Sequence, residues 1–538
     1  MVKEFKSSGE TDRSVEVNSN PGKGASLLIL TQVLSKLFTF LLNQLLVRYI
    51  SPSIFGVSAY LEFLYSTILF FSREAARLSI QRTKPYNEIQ QTHQSILNFS
   101  FLTVIIGIPI SIAIIMWQLS TDTVSEIRSS MSYFNYTISL FWGSTILELL
   151  VEPIYALNQY SLDFGNRSKY EGMAVFLRCV VTVVIVLNIS DTNIFNRNGL
   201  VLLGFGIGQF IYSFTLFVCY LSNYSNYSVS LVPSKLSDGS FINSEVLSFW
   251  KISFIQMIFK QVLTEGDKYI INSFFSVDER GVYSVMNNYG SIIVRLLFQP
   301  IEESVRLSFT RILSQIKKSS SIKDYQDALN TIKYLLIFYL QFSILIYLGG
   351  YFNGSYLLKI LLGGKSSNWL DTDLFQVFPF YICYIPFLAF NGVLEGFLMA
   401  ISNPTQTKYY TYFMSMVSIF VLVLSYYLIE VYHLGIRGLI LANIINMTLR
   451  IIYCGIFVSK LFTNSKLRIN YSNMVSFISK NLAIVLIGHY ANVSIGPTKT
   501  FIGFTKSVGI CVISLLLMLL IIRRDLFLLF KKVYRKQD

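Results

Sequence analysis

A chain of 538 residues in which 53% are hydrophobic, 44 are Phe and 34 are Tyr, and only 14% are charged has too little polar surface to be divided into several soluble domains. Its formal charge of +14 is spread over the segments between apolar runs, which argues for membrane topology rather than a nucleic-acid partner. Those runs are continuous, about 20 residues each, and not alternating, so a β-barrel is disfavoured and the chain reads as an all-α polytopic membrane protein.

Residues 1–24 are polar and of mixed charge, and the apolar run at 25–50 is too long for a signal-peptide core, so no cleaved signal is expected. Fourteen spans are predicted, at 25–50, 54–80, 95–118, 132–157, 170–189, 199–222, 246–275, 281–309, 328–350, 374–401, 409–430, 436–459, 474–491 and 503–522. An even number places both termini on one side. That side collects about 23 Lys and Arg against about 8 on the other, which makes it cytosolic.

The expected organisation is a cytosolic tail at 1–24, a first lobe of six helices at 25–222 and a polar linker at 223–245. A second six-helix lobe follows at 246–459, then two further helices at 474–522 and a basic cytosolic tail at 523–538. The lobes read as a repeat. Glu74-Ala75-Ala76-Arg77-Leu78-Ser79 recurs as Glu303-Ser304-Val305-Arg306-Leu307-Ser308, and each copy closes an apolar run that opens with Gly-Val (Gly56-Val57, Gly281-Val282). The second interval is four residues longer, about one helical turn. Glu152 to Asn158 has a looser counterpart at Glu395 to Ile401. Lobes of even helix number share one orientation, which implies parallel repeats with substrate at their interface.

An ionisable side chain at membrane depth costs roughly 2.5–3.5 kcal/mol and is expected to face a cavity or a partner. Lys36 and Arg48 lie in the first span; Glu62, Arg73, Glu74 and Arg77 in the second; Lys260, Glu265, Asp267 and Lys268 in the seventh; Arg295, Glu302, Glu303 and Arg306 in the eighth. The fifth, twelfth and thirteenth add Arg178, Arg450 and Lys480. The charges concentrate in the first two spans of each lobe, so these are expected to line a shared cavity. Lys36, Arg48, Arg73 and Arg295 are its candidate cations for an anionic head group, because a guanidinium matches phosphate oxygens in a bidentate fork. Arg73 with Glu74, and Arg306 with Glu302 or Glu303, are also spaced to pair along one helix, so Glu74, Arg77, Glu303, Arg306 and Arg450 stand as structural or cavity charges. Glu265, in a polar break at Thr264–Lys268, is a candidate gate or cation site. Glu148, Glu152 and Glu395 read as interfacial anchors.

Other signals carry little chemistry. Leu362-Gly363-Gly364-Lys365-Ser366 lacks the first glycine of a phosphate-binding loop, Lys359 standing in its place, so no ATP hydrolysis is implied. Asp371-Thr372-Asp373 reads as a solvated loop. The five cysteines all fall within predicted spans, and neither they nor His93, His433 and His489 show disulfide or metal-ligand spacing. Sequons at Asn353 and Asn492 are expected on the non-cytosolic side.

The segments Leu37–Asn43, Arg48–Ser51, Phe71–Ala75 and Leu263–Tyr269 resemble the eukaryotic Rft family of endoplasmic-reticulum proteins in asparagine-linked glycosylation. The resemblance covers essentially the whole chain, and its Arg-Glu-Ala and Thr-Glu-Gly segments are the most specific. That family belongs to the multidrug/oligosaccharidyl-lipid/polysaccharide exporter superfamily. The resemblance implies two six-helix lobes around a central cavity, two extra helices like those of bacterial lipid II flippases, and residence in the endoplasmic reticulum. It also implies a transporter rather than an enzyme, without cofactor or metal. The implied substrate is a dolichol-pyrophosphate-linked oligosaccharide, the Man5GlcNAc2 intermediate, moved from the cytosolic to the luminal leaflet by alternating access. Other N-glycosylation proteins are implied partners. Arg73 and Arg295 would then hold pyrophosphate, Lys36 and Arg48 would assist, and Glu265 would gate. The dibasic Arg535-Lys536 fits a retrieval signal. Two other classes remain compatible with the residues: a cation-coupled small-molecule antiporter, and a non-transporting accessory protein that binds the glycolipid.

Overall fold

The helices begin where a short polar side chain can take up free backbone N–H groups. In the computed structural model Ser51 accepts from the Ile54 amide, Asn243 from the Glu245 and Val246 amides, and Ser276 from the Glu279 amide while the Glu279 carboxylate returns to Ser276. The structure describes residues 41–83, 86, 88–161, 164–189, 193–224, 229–236, 239–299, 301–302, 309, 322–363, 368–464, 471–496 and 498–534. Lys36, Glu303 and Arg306, among the residues singled out above, lie outside them, as does Arg535-Lys536.

The helices are α1 (41–49), α2 (Pro52–Ile80), α3 (Ile89–Leu119), α4 (Asp122–Ser130), α5 (Phe134–Tyr160), α6 (Phe164–Leu187) and α7 (Ile194–Tyr224). Then come α8 (Ser244–Phe274), α9 (Val277–Gly290), α10 (Ile322–Ile346), α11 (Phe352–Leu361), α12 (Leu374–Ile401), α13 (Pro404–Tyr426), α14 (Gly435–Asn464), α15 (Tyr471–Ile495) and α16 (Phe501–Tyr534). Among the described residues ten helical stretches are long and apolar enough to cross a membrane: α2, α3, α5, α6, α7, Leu329–Leu361, α12, Thr405–Val431, α14 and α16. The other four expected spans do not join that group. The stretches 25–50 and 281–309 lie partly outside the described residues, α8 is heavily charged, and α15 carries Lys480, Asn481, His489 and Asn492.

Helices α2, α3, α5, α6 and α7 pack on one another, as do α8 to α14, while α15 and α16 pair and lean on α10 and α11. The sequon asparagines belong to this last contact. Asn353 and Asn492 are buried, the Asn353 amide donates to Ser507 Oγ at 2.8 Å, Ser507 donates to Asn492 Oδ1 at 2.5 Å, and Thr498 donates to Asn353 Oδ1 at 3.0 Å. Both side chains tie helices together.

The two helix groups meet most closely where α2 crosses α9. A Cβ on Gly56 would stand 2.1 Å from the Val277 carbonyl oxygen, and one on Gly281 would stand 2.0 Å from that of Pro52, so only glycine permits this approach. The contact is reciprocal. Ser51 and Ser276 cap equivalent helix starts, Ser53 donates to Asp278, and the two Gly-Val pairs face each other. Helix α1 lies across the same boundary: Gln44 Nε2 donates to the Leu361 carbonyl at 2.8 Å, Tyr289 donates to Gln44 Oε1 at 2.6 Å and Trp369 Nε1 donates to the Val47 carbonyl at 3.1 Å.

The segment joining the groups is strapped to α3. Asn98 Nδ2 donates to the Ser234 and Phe241 carbonyls at 2.6 and 2.8 Å, and Gln94 exchanges hydrogen bonds with Ser230. Replacing Asn98 by Ala strands these backbone groups, at a cost of about 1–3 kcal/mol. The expected result is a lower unfolding temperature and faster proteolytic cleavage between residues 229 and 242.

Candidate substrate cavity

The α2–α9 crossing closes one end of a cavity of about 440 Å³ whose walls come from both helix groups. The first turns of α2 supply Gly56, Ala59 and Glu62, while α6 gives Arg178 and α7 gives Gln209. From the other side α8 contributes Lys268 and Asn272, α9 contributes Arg280, Tyr283, Asn287 and Asn288, and Arg295 follows on the π-helical turn Val294–Phe298.

Four cations thus line one space, in two different situations. Arg178 pairs with Glu62 between α6 and α2, and Lys268 Nζ lies 2.5 Å from Glu265 one turn earlier on α8. Arg280 and Arg295 have no carboxylate within 4 Å among the described residues. Arg280 is 4% exposed, donates from Nε to the Phe275 carbonyl at 2.9 Å and lies 5.6 Å from the Tyr60 ring centre, while its Nη1 has no partner among the described residues. Arg295 is exposed and held from one side, Nη2 donating to Asn288 O at 2.9 Å and Oδ1 at 3.0 Å. Gln209 is buried on the same wall with both amide atoms unpartnered among the described residues. Unpaired guanidinium N–H groups around a space of this size form a receptor for an oxyanion.

Of the three expected cations that lie among the described residues, Arg48, Arg73 and Arg295, the structure brings Arg295 into this cavity. Arg48 is exposed on α1 and absent from the lining. Arg73 lies seven residues beyond Ser66, the last α2 residue on the wall, about 10 Å further along the helix. Its Nη1 sits 2.9 Å from Glu148 and 3.9 Å from Glu152, both on α5. Arg77 binds Glu152 through two N–H groups at 2.5 and 2.7 Å and stacks 3.9 Å over Tyr155. Glu148 also accepts from Tyr65 and from Ser213, the latter at 3.1 Å. Glu148 and Glu152 are therefore members of a buried ion-pair network rather than interfacial anchors, and these arginines pair between helices rather than along one. Glu74 has no ion-pair partner among the described residues. Arg450, on α14, is held by Asn446 Oδ1 at 3.1 Å, away from the cavity lining.

The polar break expected at Thr264–Lys268 is absent: α8 runs through it without interruption. Lys268, on the cavity wall, pairs with Glu265, which is not on that wall, while Asp267 turns to accept from Tyr283 OH of α9 at 2.9 Å. Arg280, missed as a site residue, had been assigned to a loop. Ser276-Val277-Asp278-Glu279 is a readable capping box, and it would have started the helix early enough to include Arg280.

Comparisons with known proteins bear on the family and the fold. The family model described as "Rft protein" matches residues 21–532. The Man(5)GlcNAc(2)-PP-dolichol translocation protein RFT1 of Candida albicans is 42% identical over 483 residues, 86% of each chain. Among solved structures, the lipid II flippase MurJ in an inward closed conformation superposes with a TM-score of 0.59 at 15% identity, over 93% of this chain and all of that one. An inward-facing multidrug-resistance MATE transporter of the MOP superfamily follows at 0.52 and 13%, over 80% of this chain and 94% of that one. At such identities the two structures establish the fold, and the match along nearly the full length establishes the family: the chain is a polytopic α-helical membrane protein that belongs to the Rft family.

Proposed function

We propose that this chain carries Man5GlcNAc2-PP-dolichol from the cytosolic to the luminal leaflet of the endoplasmic reticulum by alternating access. The observation that carries the reading is the cavity between the helix groups with Arg280 and Arg295 free of carboxylate partners, because a pyrophosphate diester brings two negative charges to such a place. The full arrangement is then fourteen membrane spans, two parallel six-span lobes plus α15 and α16, with both termini cytosolic. In that orientation the Gly56–Gly281 crossing faces the lumen, and the described state is closed on that side. A cavity of about 440 Å³ suits a head group, within the roughly 300–1,000 Å³ of small-ligand sites. The seven sugars require the space that lobe separation opens, while the polyprenyl chain stays in lipid. Arg178 and Lys268, already compensated by Glu62 and Glu265, can exchange those partners for phosphate and return to them on release.

The test is transport in sealed vesicles containing the purified protein and the five-mannose lipid-linked oligosaccharide. The outward-facing pool is expected to become protected at a protein-dependent rate. The Arg280→Ala/Arg295→Ala double substitution is expected to slow it at least tenfold, since losing one partner of a desolvated charge pair costs about 2–5 kcal/mol. Glycolipid binding without any protein-dependent movement would instead assign the chain an accessory, non-transporting role.

A further inference from the structure

On the wall that the first helix group gives to the cavity, the polar side chains around Gln209 are already engaged. Glu62 pairs with Arg178, Tyr65 donates to Glu148, and Ser66 donates to the Phe63 carbonyl at 3.0 Å. One turn further along α7, Ser213 donates to Glu148 at 3.1 Å. Gln209 is 1% exposed, and neither its Oε1 nor its Nε2 has a partner among the described residues. Close packing of α7 buries it. A Cβ on Gly208 would stand 2.0 Å from Thr182 Oγ1 of α6, and one on Gly206 would stand 3.1 Å from Thr137 Cγ2 of α5, so glycines draw α7 against both neighbours.

A buried primary amide that makes no hydrogen bond destabilises a fold, and an apolar side chain of the same size would serve packing better. Its free donor and free acceptor fit a ligand that offers an acceptor and a donor side by side. Such a ligand would meet Gln209 on one wall and Arg280 and Arg295 on the wall given by the other helix group. In Man5GlcNAc2-PP-dolichol the sugar joined to the pyrophosphate is N-acetylglucosamine. Its acetamido carbonyl lies beside the hydroxyl on the next ring carbon, an acceptor next to a donor. A trans acetamide turns its N–H away from its carbonyl, so one primary amide engages the carbonyl and the hydroxyl rather than both ends of the acetamide.

We propose, on the reading of the cavity as a pyrophosphate site, that Gln209 selects the sugar next to the pyrophosphate by its acetamido group, Nε2 donating to the acetamido carbonyl oxygen and Oε1 accepting from the adjacent hydroxyl. The guanidinium groups hold the charge, which every sugar pyrophosphate carries. Gln209 supplies the discrimination between sugars, because a buried hydrogen-bonding group left unpaired rejects an analogue that lacks its partner.

Equilibrium binding to the purified full-length protein in detergent is measured for two short-chain dolichyl pyrophosphates, one bearing N-acetylglucosamine and one bearing glucose. The parent protein is expected to prefer the first roughly tenfold. Gln209→Met, of similar volume, is expected to cut that preference to about twofold or less, at an unchanged or higher unfolding temperature, since it removes an unpaired buried amide. Arg280→Ala is expected to weaken both probes together and to keep the preference. The ratio within each variant is the readout, so a less stable variant stays informative. Equal binding of both probes by the parent, or a preference that survives in Gln209→Met, overturns the role of Gln209 and leaves the cavity a pyrophosphate site. Failure of the parent to bind either probe overturns the pyrophosphate reading itself, and the role of Gln209 with it.

Discussion

Arg73→Ala is expected to reduce the amount of folded protein severalfold rather than to produce a stable protein with an empty binding site. Glu148 and Glu152 lie buried on α5 and depend on Arg73 and Arg77 for their charge balance. Removing one partner of such a network leaves a carboxylate stranded in a dry interior, at a cost of about 3–5 kcal/mol, which is a large share of a typical stability. The compensating change distinguishes this from a role in binding substrate. With Glu148→Gln added, the amide still serves the Tyr65 and Ser213 hydroxyls, and the stranded charge is gone. Abundance and unfolding temperature of the Arg73→Ala/Glu148→Gln protein are therefore expected to recover most of the loss. If the double variant accumulates normally yet fails to restore N-glycosylation in cells lacking their own copy, Arg73 acts on substrate after all.

The second large effect is expected at the glycine crossing. Gly281→Leu drives a side chain into the Pro52 carbonyl, which stands only 2.0 Å from the position of a Cβ. Backbone cannot move aside as the end of a flexible side chain can, so α2 and α9 must separate. An overpacking cost of about 1–3 kcal/mol placed on one state alone shifts the balance of closed and open forms roughly 5- to 150-fold. The variant is expected to lose the closed state, and with it alternating access. Cysteines at 53 and 278, whose native side chains touch, report on this directly. They are expected to cross-link readily in an otherwise unchanged protein, with loss of activity that reductant restores, and to cross-link poorly once Gly281→Leu is present. Equal cross-linking in both backgrounds would mean that the crossing is not a moving contact.

The sequence by itself determined the class of this protein. Apolar runs of membrane-crossing length, lysines and arginines gathered in alternate loops, and the segment Phe71–Ala75 all follow from local composition and order, which require no knowledge of what packs against what. The recurrence of Gly-Val also marked the two glycines, Gly56 and Gly281, that meet where α2 crosses α9. Sequence spacing shows which charges share a helix, and so it suggested Glu74 as a partner for Arg73. It is silent on which helices are neighbours. Only the tertiary structure decided that α5 lies against α2 and gives Arg73 to Glu148, that α6 brings Arg178 to Glu62, and that Arg280 falls inside a helix facing the other group. The fate of a buried charge is settled within about 4 Å by groups far away in sequence, and so the fold was legible along the chain while the cavity was not.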